Sequence, residues 1–249
     1  NHMISSSGIF STFAVLGIVI AAIMVLGAII LKTPEAMPAK KGDDSKETES
    51  LEVVNYSPIE MVKTGKFWFF IAWAVLLNSA GLLVINSAAN ISLAFGGSAV
   101  LGLIISLFNG AGRIVAGSNF DRFGTKFATL FNLALMLCAG ILLSVAALSK
   151  SLVIAVLGLI LVGLSYGGNP TISAAYANKA FGPRDYSTNF SIINFSIIPA
   201  AIIGPMVSSK LLEAAGGKYD TNFYAIIGFA VASVVFWILL VAANKSNKK

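Results

Sequence analysis

Seven apolar stretches, each long enough to cross a bilayer, constrain the fold of this chain more than any other feature. The hydrocarbon core of a membrane is about 30 Å thick, and an α-helix crosses it in about 20 residues. The stretches occupy residues 8–31, 67–89, 99–120, 127–148, 152–177, 188–211 and 223–243. Only 11% of the 249 residues are charged, against roughly 25% in soluble domains. We therefore predict an all-α membrane protein with seven transmembrane helices.

The segments between these stretches suggest how the chain is organised. Residues 1–3 resemble the remnant of a cloning site and are set aside. The sequence then predicts a leading transmembrane helix at 4–32, a charged linker at 33–66, a six-helix unit at 67–244 and a basic tail at 245–249. The linker carries a Lys-Lys-Gly-Asp-Asp-Ser-Lys-Glu run. Because such a run cannot bury an apolar core, we expect the linker to be disordered.

The distribution of lysine and arginine predicts the orientation in the membrane. Basic residues collect in the short cytoplasmic loops of multi-pass proteins. If the linker is cytoplasmic, thirteen basic residues, Lys66 among them, fall on the cytoplasmic side, and only Lys150, Lys210 and Lys218 fall outside. Arg113 is the one charge that we place inside a helix. We predict an extracytoplasmic N-terminus and a cytoplasmic C-terminus, in the plasma membrane.

Polar side chains mark some predicted helices and not others. The second, third, fifth and sixth carry asparagines, whereas the first, fourth and seventh are much barer. A polar group in hydrocarbon is costly unless it meets a partner or water, so the asparagine-bearing helices should face the protein interior or a cavity. After the first helix, the order interior, interior, peripheral occurs twice. This order predicts two inverted three-helix repeats, at 67–148 and 152–243.

A charged turn separates the third and fourth predicted helices, with the sequence Gly117-Ser-Asn-Phe-Asp121-Arg122-Phe-Gly124-Thr-Lys126. Gly117 allows close approach of a neighbouring helix, and Gly124 permits a tight reversal. Asp121 favours the positive end of the following helix, while Arg122 and Lys126 mark a cytoplasmic face. An ordinary inter-helix turn that follows the positive-inside rule would carry similar charges.

The turn and the residues before it also resemble a known family signature. The pattern G-x-x-x-D-R-x-G-x-K, preceded by Gly112 and Arg113, resembles the signature loop of the major facilitator superfamily of secondary transporters, in its second-half copy. A charged linker followed by six helices and a basic tail resembles the C-terminal half of such a transporter. Residues 8–31 then resemble the last helix of the N-terminal half.

Within that superfamily, the chain is similar to the oxalate/formate antiporter family. The similarity lies in the segments that begin Tyr56-Ser-Pro-Ile-Glu, Asn78-Ser-Ala-Gly and Phe108-Asn-Gly-Ala-Gly-Arg113. Oxalate exchangers of that family are expected to carry a basic residue in the penultimate helix. Residues 188–209 contain none, which argues against a dicarboxylate substrate.

The resemblance implies secondary active transport of a small organic anion by alternating access. The substrate would be a monocarboxylate such as lactate or formate, or an oxalate-like anion. It also implies that this chain is one half, inactive without an N-terminal partner half. The alternative is a self-contained seven-helix receptor or scaffold, because seven spans with an outside N-terminus would fit that class too.

Polar side chains at helical spacing supply the candidate site residues. The candidate substrate ligands are Asn78, Asn109, Arg113, Tyr166, Asn169 and Asn194. The candidate conformational latch consists of Gly112, Arg113, Gly117, Asp121, Arg122, Gly124 and Lys126. Arg113 has two interpretations: its guanidinium could bind a substrate carboxylate, or it could reach Asp121 or helix-end carbonyls. The Gly-Gly-Asn-Pro run at 167–170 could loosen its helix near a substrate or pack against a neighbouring helix.

Other function classes lack the residues that they require. No Asp or Glu lies deep in a predicted helix, so we expect no proton carrier in this unit. Cys138 is the only cysteine and His2 the only histidine, and we find no phosphate-binding loop or Ser/His/Asp set. We therefore predict no enzyme, no metal site, no cofactor and no nucleic-acid partner; the lipid bilayer is the expected environment.

Overall fold

The computed structural model describes residues 2–30 and 55–246, and every regular element in those two ranges is helical. Residues 33–54 of the predicted linker and residues 247–249 of the basic tail lie outside the described residues. The prediction of a disordered linker is wrong for its last part, because Pro58–Val62 form a helix that Ser57 caps. The contacts divide the chain into two units, Asn1–Leu51 and Glu52–Lys249.

The first unit contains one helix, α1 (His2–Ile30). Gly8 interrupts it with a φ of 77°, a left-handed value that glycine adopts readily. From Gly8 to Ile29 the helix has 22 residues and a mean hydropathy of 2.7. The predicted leading span is therefore a helix of sufficient length and apolarity to cross a bilayer.

The second unit contains nine helices in its described residues: α2 (Pro58–Val62), α3 (Gly65–Ile85), α4 (Ala88–Ala94), α5 (Ala99–Gly102), α6 (Ile104–Ser149), α7 (Leu152–Phe181), α8 (Tyr186–Asn194), α9 (Ile197–Ala214) and α10 (Asp220–Ser246). Over all the described residues, six helical stretches are long and apolar enough to cross a membrane. α3 packs against α7, α9 and α10, while α10 also packs against α6.

Three of the predicted helices are interrupted, the helix 99–120 by Leu103 alone, between α5 and α6, and the other two by two residues each. The predicted helix 67–89 breaks at Asn86 and Ser87, between α3 and α4, where Ser87 has a non-helical φ of −110° and ψ of 3°. The predicted helix 188–211 breaks at Phe195 and Ser196, between α8 and α9. Pro199 explains the break between α8 and α9, because its nitrogen cannot donate to the carbonyl four residues earlier, and its ring crowds that carbonyl.

The longest helix, α6, is long enough to cross a bilayer twice. Its 46 residues would measure about 69 Å as one straight helix, more than twice the thickness of the hydrocarbon core. Gly124 breaks it with a φ of 77° and a ψ of −177°. We call residues 104–123 the first arm and residues 125–149 the second arm.

The contacts of the two arms with α7 run in opposite directions. The packed pairs are Ile105 with Gly163, Ala116 with Gly168, Asn132 with Gly168, and Leu143 with Gly158. The first arm therefore runs parallel to α7 and the second antiparallel to it, so the chain reverses at Gly124 as predicted. With both arms of α6 counted separately, the described residues contain a helical segment for each of the seven predicted passes. The inverted-repeat relation between these segments stays a prediction.

Candidate functional site

A chain of three buried asparagines joins three helices. Asn169 of α7 donates from Nδ2 to Asn78 Oδ1 of α3 at 2.9 Å, and Asn132 of the second arm donates from Nδ2 to Asn169 Oδ1 at 2.7 Å. Asn169 is only 1% exposed. Two predicted substrate ligands, Asn78 and Asn169, thus contact each other. Both the nitrogen and the oxygen of the Asn169 amide are hydrogen-bonded to other side chains of the protein.

Asn132, one of the three hydrogen-bonded asparagines, was not among the site residues predicted from the sequence. It lies on the fourth predicted helix, which we interpreted as bare and peripheral. Its backbone carbonyl also accepts a hydrogen bond of 2.9 Å from Ser165 Oγ. The one available signal was a single asparagine in an apolar run. Hydrogen-bonded asparagines of this kind hold membrane helices together, because each amide satisfies another away from water.

Tyr166 and the glycines beside it form a close contact between helices. The Tyr166 ring lies against Gly81 of α3, where there is no room for a Cβ atom. The backbone of the first arm packs directly against α7, at Ile105 on Gly163 and at Asn109 on Gly167. α7 remains helical through 167–170, with Pro170 inside it. Gly167 and Gly168 of the Gly-Gly-Asn-Pro run thus pack against α6, and a role of this run near a substrate stays a prediction.

Arg113 lies at the middle of the first arm, on its open side. The arm has 20 residues from 104 to 123, about 30 Å of helix, and Arg113 is the tenth. Its side chain is exposed, and it makes no hydrogen bond or ion pair with any residue in the described part of the chain. Asn109 lies one turn earlier on the same stripe and is half-buried.

The predicted latch residues split between packing and exposure. Gly112 contacts the carbonyl of Leu164, and Gly117 lies against the Thr171 methyl group. Asp121 is exposed, as are both basic residues of the turn. Among the side chains described, at residues 8–29 and 55–244, the only ion pair joins two other residues, so Arg113 and Asp121 are not paired here. The latch role stays a prediction.

Asn194 lies apart from the asparagine chain. It is the last residue of α8. Its side chain is exposed and makes no hydrogen bond with a described residue. The structure thus brings together Asn78, Asn109, Tyr166 and Asn169 at the contacts among α3, α6 and α7. It leaves Arg113 on an open face and Asn194 on another helix.

Lys66 is a buried cation, although the sequence analysis counted it among the loop charges. It is 7% exposed, in the first turn of α3. Its Nζ donates to the Ala180 carbonyl at 2.7 Å and lies 4.1 Å and 4.8 Å from the ring centroids of Tyr56 and Phe181. Tyr56 N–H donates to the Phe181 carbonyl at 2.8 Å. We call Lys66, Tyr56, Ala180 and Phe181 the lysine clamp; it caps the C-terminal end of α7.

The comparisons with known proteins give one family. The family model described as the Major Facilitator Superfamily matches residues 2–198, which run from α1 to the start of α9. No curated protein matches the chain. In the part of the chain that the structure describes, no three His, Cys, Asp or Glu side chains are grouped so that they could hold a metal ion.

Proposed function

The chain belongs to the Major Facilitator Superfamily, and from that premise we propose that it carries a small organic anion, a monocarboxylate such as lactate or formate, across the plasma membrane by alternating access. The family match favours transport over the receptor or scaffold that the sequence left open. The choice of an anion rests on one observation, the exposed and unpaired guanidinium of Arg113.

The position of Arg113 supports an anionic ligand. A charge at the centre of a membrane helix costs about 2.5–3.5 kcal/mol on insertion scales, so it normally has a partner or faces a water-filled cavity. Arg113 has no carboxylate partner among the described residues. A guanidinium binds a carboxylate through two parallel N–H···O bonds, and Asn109 one turn away could donate a third. A single carboxylate would thus supply the missing charge.

We propose further that residues 67–244 act with an N-terminal partner half, with the substrate between the two and the N-terminus of this chain outside. Arg113 would then face the partner half across the cavity. On this proposal the chain by itself does not transport. Its relation to the oxalate/formate antiporters rests on the sequence resemblance, and exchange is the mode that this resemblance favours.

Uptake and binding measurements test the proposal. The chain would be co-expressed with a five-helix N-terminal half, reconstituted in liposomes, and assayed with labelled lactate, formate and oxalate. We expect Arg113→Gln to weaken binding by about 30-fold or more, the scale for removing one partner of a buried charge pair, while Arg113→Lys retains part of it. Lys210→Gln, at an exposed lysine of α9, is the matched control.

The two interpretations of Arg113 give different results. If Arg113 binds substrate, both binding and uptake fall in Arg113→Gln. If it is part of the latch, binding persists and uptake is lost. If the paired halves take up none of the three anions, the proposed function is contradicted. If this chain alone takes up one of them, the proposed division of the site between two halves is contradicted.

A further inference from the structure

The last residues of the charged linker bind to α7, to α8 and to the loop between them. Tyr56 N–H donates to the Phe181 carbonyl, at the end of α7, at 2.8 Å. The Tyr56 carbonyl accepts from Nδ2 of Asn189 in α8 at 3.0 Å. Asn55 Oδ1 accepts from the backbone N–H of Arg184, in the loop, at 3.1 Å. We call Asn55 and Tyr56 the strap, because they connect the end of α7 to α8.

The ring of Tyr56 also holds the strap in place. It meets the Phe181 ring edge to face, with the centroids 5.7 Å apart, and Lys66 Nζ lies 4.1 Å from its centroid. The Tyr56 hydroxyl makes no hydrogen bond with a described residue. Ring contacts of both kinds are attractive, and phenylalanine makes them as well as tyrosine. The ring, and not the hydroxyl, therefore fixes this side chain against α3 and α7.

The helix that the strap holds has little else to keep it in position. α8 has nine residues and packs mainly against α7 and the short α2. It ends at the break of Phe195 and Ser196, so the helix does not continue without interruption into α9. A short segment with few packing partners opens locally at a lower free energy than the rest of a fold. The strap is thus placed to decide whether α8 stays against α7.

Two buried polar groups beside the strap favour its release. Asn189 is fully buried, and its Oδ1 has no hydrogen-bond partner among the described residues. The ammonium of Lys66 is buried without a carboxylate partner in the same part of the chain. Water would hydrate both groups once the strap leaves, whereas their burial has a desolvation cost. The contacts of the strap are therefore partly offset, and the loss of one of them should shift the balance towards opening.

We propose that the strap holds α8 closed against α7, and that its release lets α8 swing about the break at Phe195 and Ser196. Tyr56 is the central residue, since its backbone bonds to both helices and its ring contacts Lys66 and Phe181. The strap would thus limit a movement of α8 during transport. Only this use in alternating access rests on the proposed function.

Alkylation of a buried thiol on α8 measures its opening. The full chain in detergent would carry Cys138→Ser, which removes the exposed native cysteine, and Ile193→Cys, at a fully buried position of α8. N-ethylmaleimide reaches the thiol at position 193 when α8 opens, and the labelling rate follows the population of the open form when opening and closing are fast. We expect Tyr56→Ala to raise this rate about 5- to 30-fold, the range for the loss of one or two ring contacts.

Two controls separate release of the strap from a general loss of stability. Tyr56→Phe keeps the ring and should leave the labelling rate at position 193 unchanged. Ala200→Cys places the thiol at a fully buried position of α9, beyond the break and one turn before Gly204, which packs against the Ser79 carbonyl of α3. Since this position should not move with α8, its labelling should stay slow with Tyr56, with Tyr56→Ala and with Tyr56→Phe.

Three other outcomes would each overturn the proposal. An unchanged rate at position 193 in Tyr56→Ala would mean that the strap does not hold α8. An equal rise at positions 193 and 200 would mean that the whole bundle is destabilised. Equal rises in Tyr56→Phe and Tyr56→Ala would assign the effect to the hydroxyl and not to the ring contacts. Labelling requires no transport, so failure of the strap and failure of the proposed function are seen separately.

Discussion

Lys66→Met removes the ammonium of the lysine clamp and keeps an apolar stem of similar length. The variant loses a charge-assisted hydrogen bond of about 1.5–3 kcal/mol and two ring contacts of about 0.5–2 kcal/mol each. It also recovers the desolvation cost of a buried ammonium, several kcal/mol, which offsets most of that loss. The remaining cost comes from the Ala180 carbonyl.

The Ala180 carbonyl has no helical partner once Lys66 is gone. The N–H four residues later, at Arg184, donates to Asn55 Oδ1 at 3.1 Å instead. An unsatisfied buried carbonyl costs about 1–3 kcal/mol. We therefore expect Lys66→Met to lower the free energy of unfolding by about 2 kcal/mol, which corresponds to a fall in Tm of about 4–8 °C for a chain of this size.

The assay is thermal unfolding in detergent, with hydrogen exchange at the amides of Tyr56 and Gly182 as a local readout. Lys63→Met is the matched control, because the side chain of Lys63, three residues earlier, is exposed and its ammonium makes no hydrogen bond with a described residue. Its effect should stay within about 0.5 kcal/mol. A Lys66→Met variant as stable as the unmodified chain, or more stable, would refute the reasoning, since burial of the ammonium would then outweigh its contacts.

Three other perturbations test separate contacts. Asn169→Leu leaves the amides of Asn78 and Asn132 without their partner and should lower the free energy of unfolding by about 2–4 kcal/mol. Asn194 is exposed, so Asn194→Leu should change the free energy of unfolding little. Equal effects of the two variants would refute the role of the three hydrogen-bonded asparagines. Gly112→Ala forces a Cβ into an α7 carbonyl and should lower the free energy of unfolding by about 1–3 kcal/mol. Gly110→Ala lies in open space and should raise the free energy of unfolding by about 0.5–1 kcal/mol. The reverse order of these two effects would contradict the packing of α6 on α7. Hydrogen bonds from Ser57 lower the pKa of Glu60 in the folded chain, so the contribution of Glu60 to the stability of the α2 cap is present above the unfolded pKa and is lost as the pH falls through the folded pKa. Amide exchange in α2 should therefore show an intact cap from pH 7 down to about pH 5 and a weakened cap at lower pH. A loss of the cap between pH 7 and about pH 5 would contradict this expectation.

The number of passes could be predicted from the sequence because each pass needs an apolar run of fixed length. The reversal at Gly124 could be predicted as well, since the charged turn and a glycine coincide there. The break at Asn86 and Ser87 was not predicted, whereas Pro199 in the sequence already indicates a kink in the sixth predicted helix. Apolarity continues across both breaks, and hydropathy does not report backbone dihedral angles.

The site was only partly predictable because its contacts join residues far apart in the chain. Asn78 and Asn169 were found as polar residues in apolar helices, but their mutual bond spans 91 positions. Asn132 looked isolated on a bare helix until its partner on α7 was placed beside it. Lys66 looked like a loop charge, because its burial depends on the rings of Tyr56 and Phe181, which lie far from it in the sequence or beyond the helix it begins and pack beside its ammonium.

The glycine contacts between α6 and α7 have a consequence for motion. Backbones that touch at Gly112 and Gly167 cannot slide past each other without losing many contacts at once, so the first arm of α6 should move together with α7 as one rigid unit. The helix is already modified before α9, where the N–H groups of Phe195 and Ser196 bond to carbonyls three rather than four residues earlier. Opening and closing of the bundle would then bend the chain at this point, with α8 moving relative to α9 while the first arm and α7 keep their register.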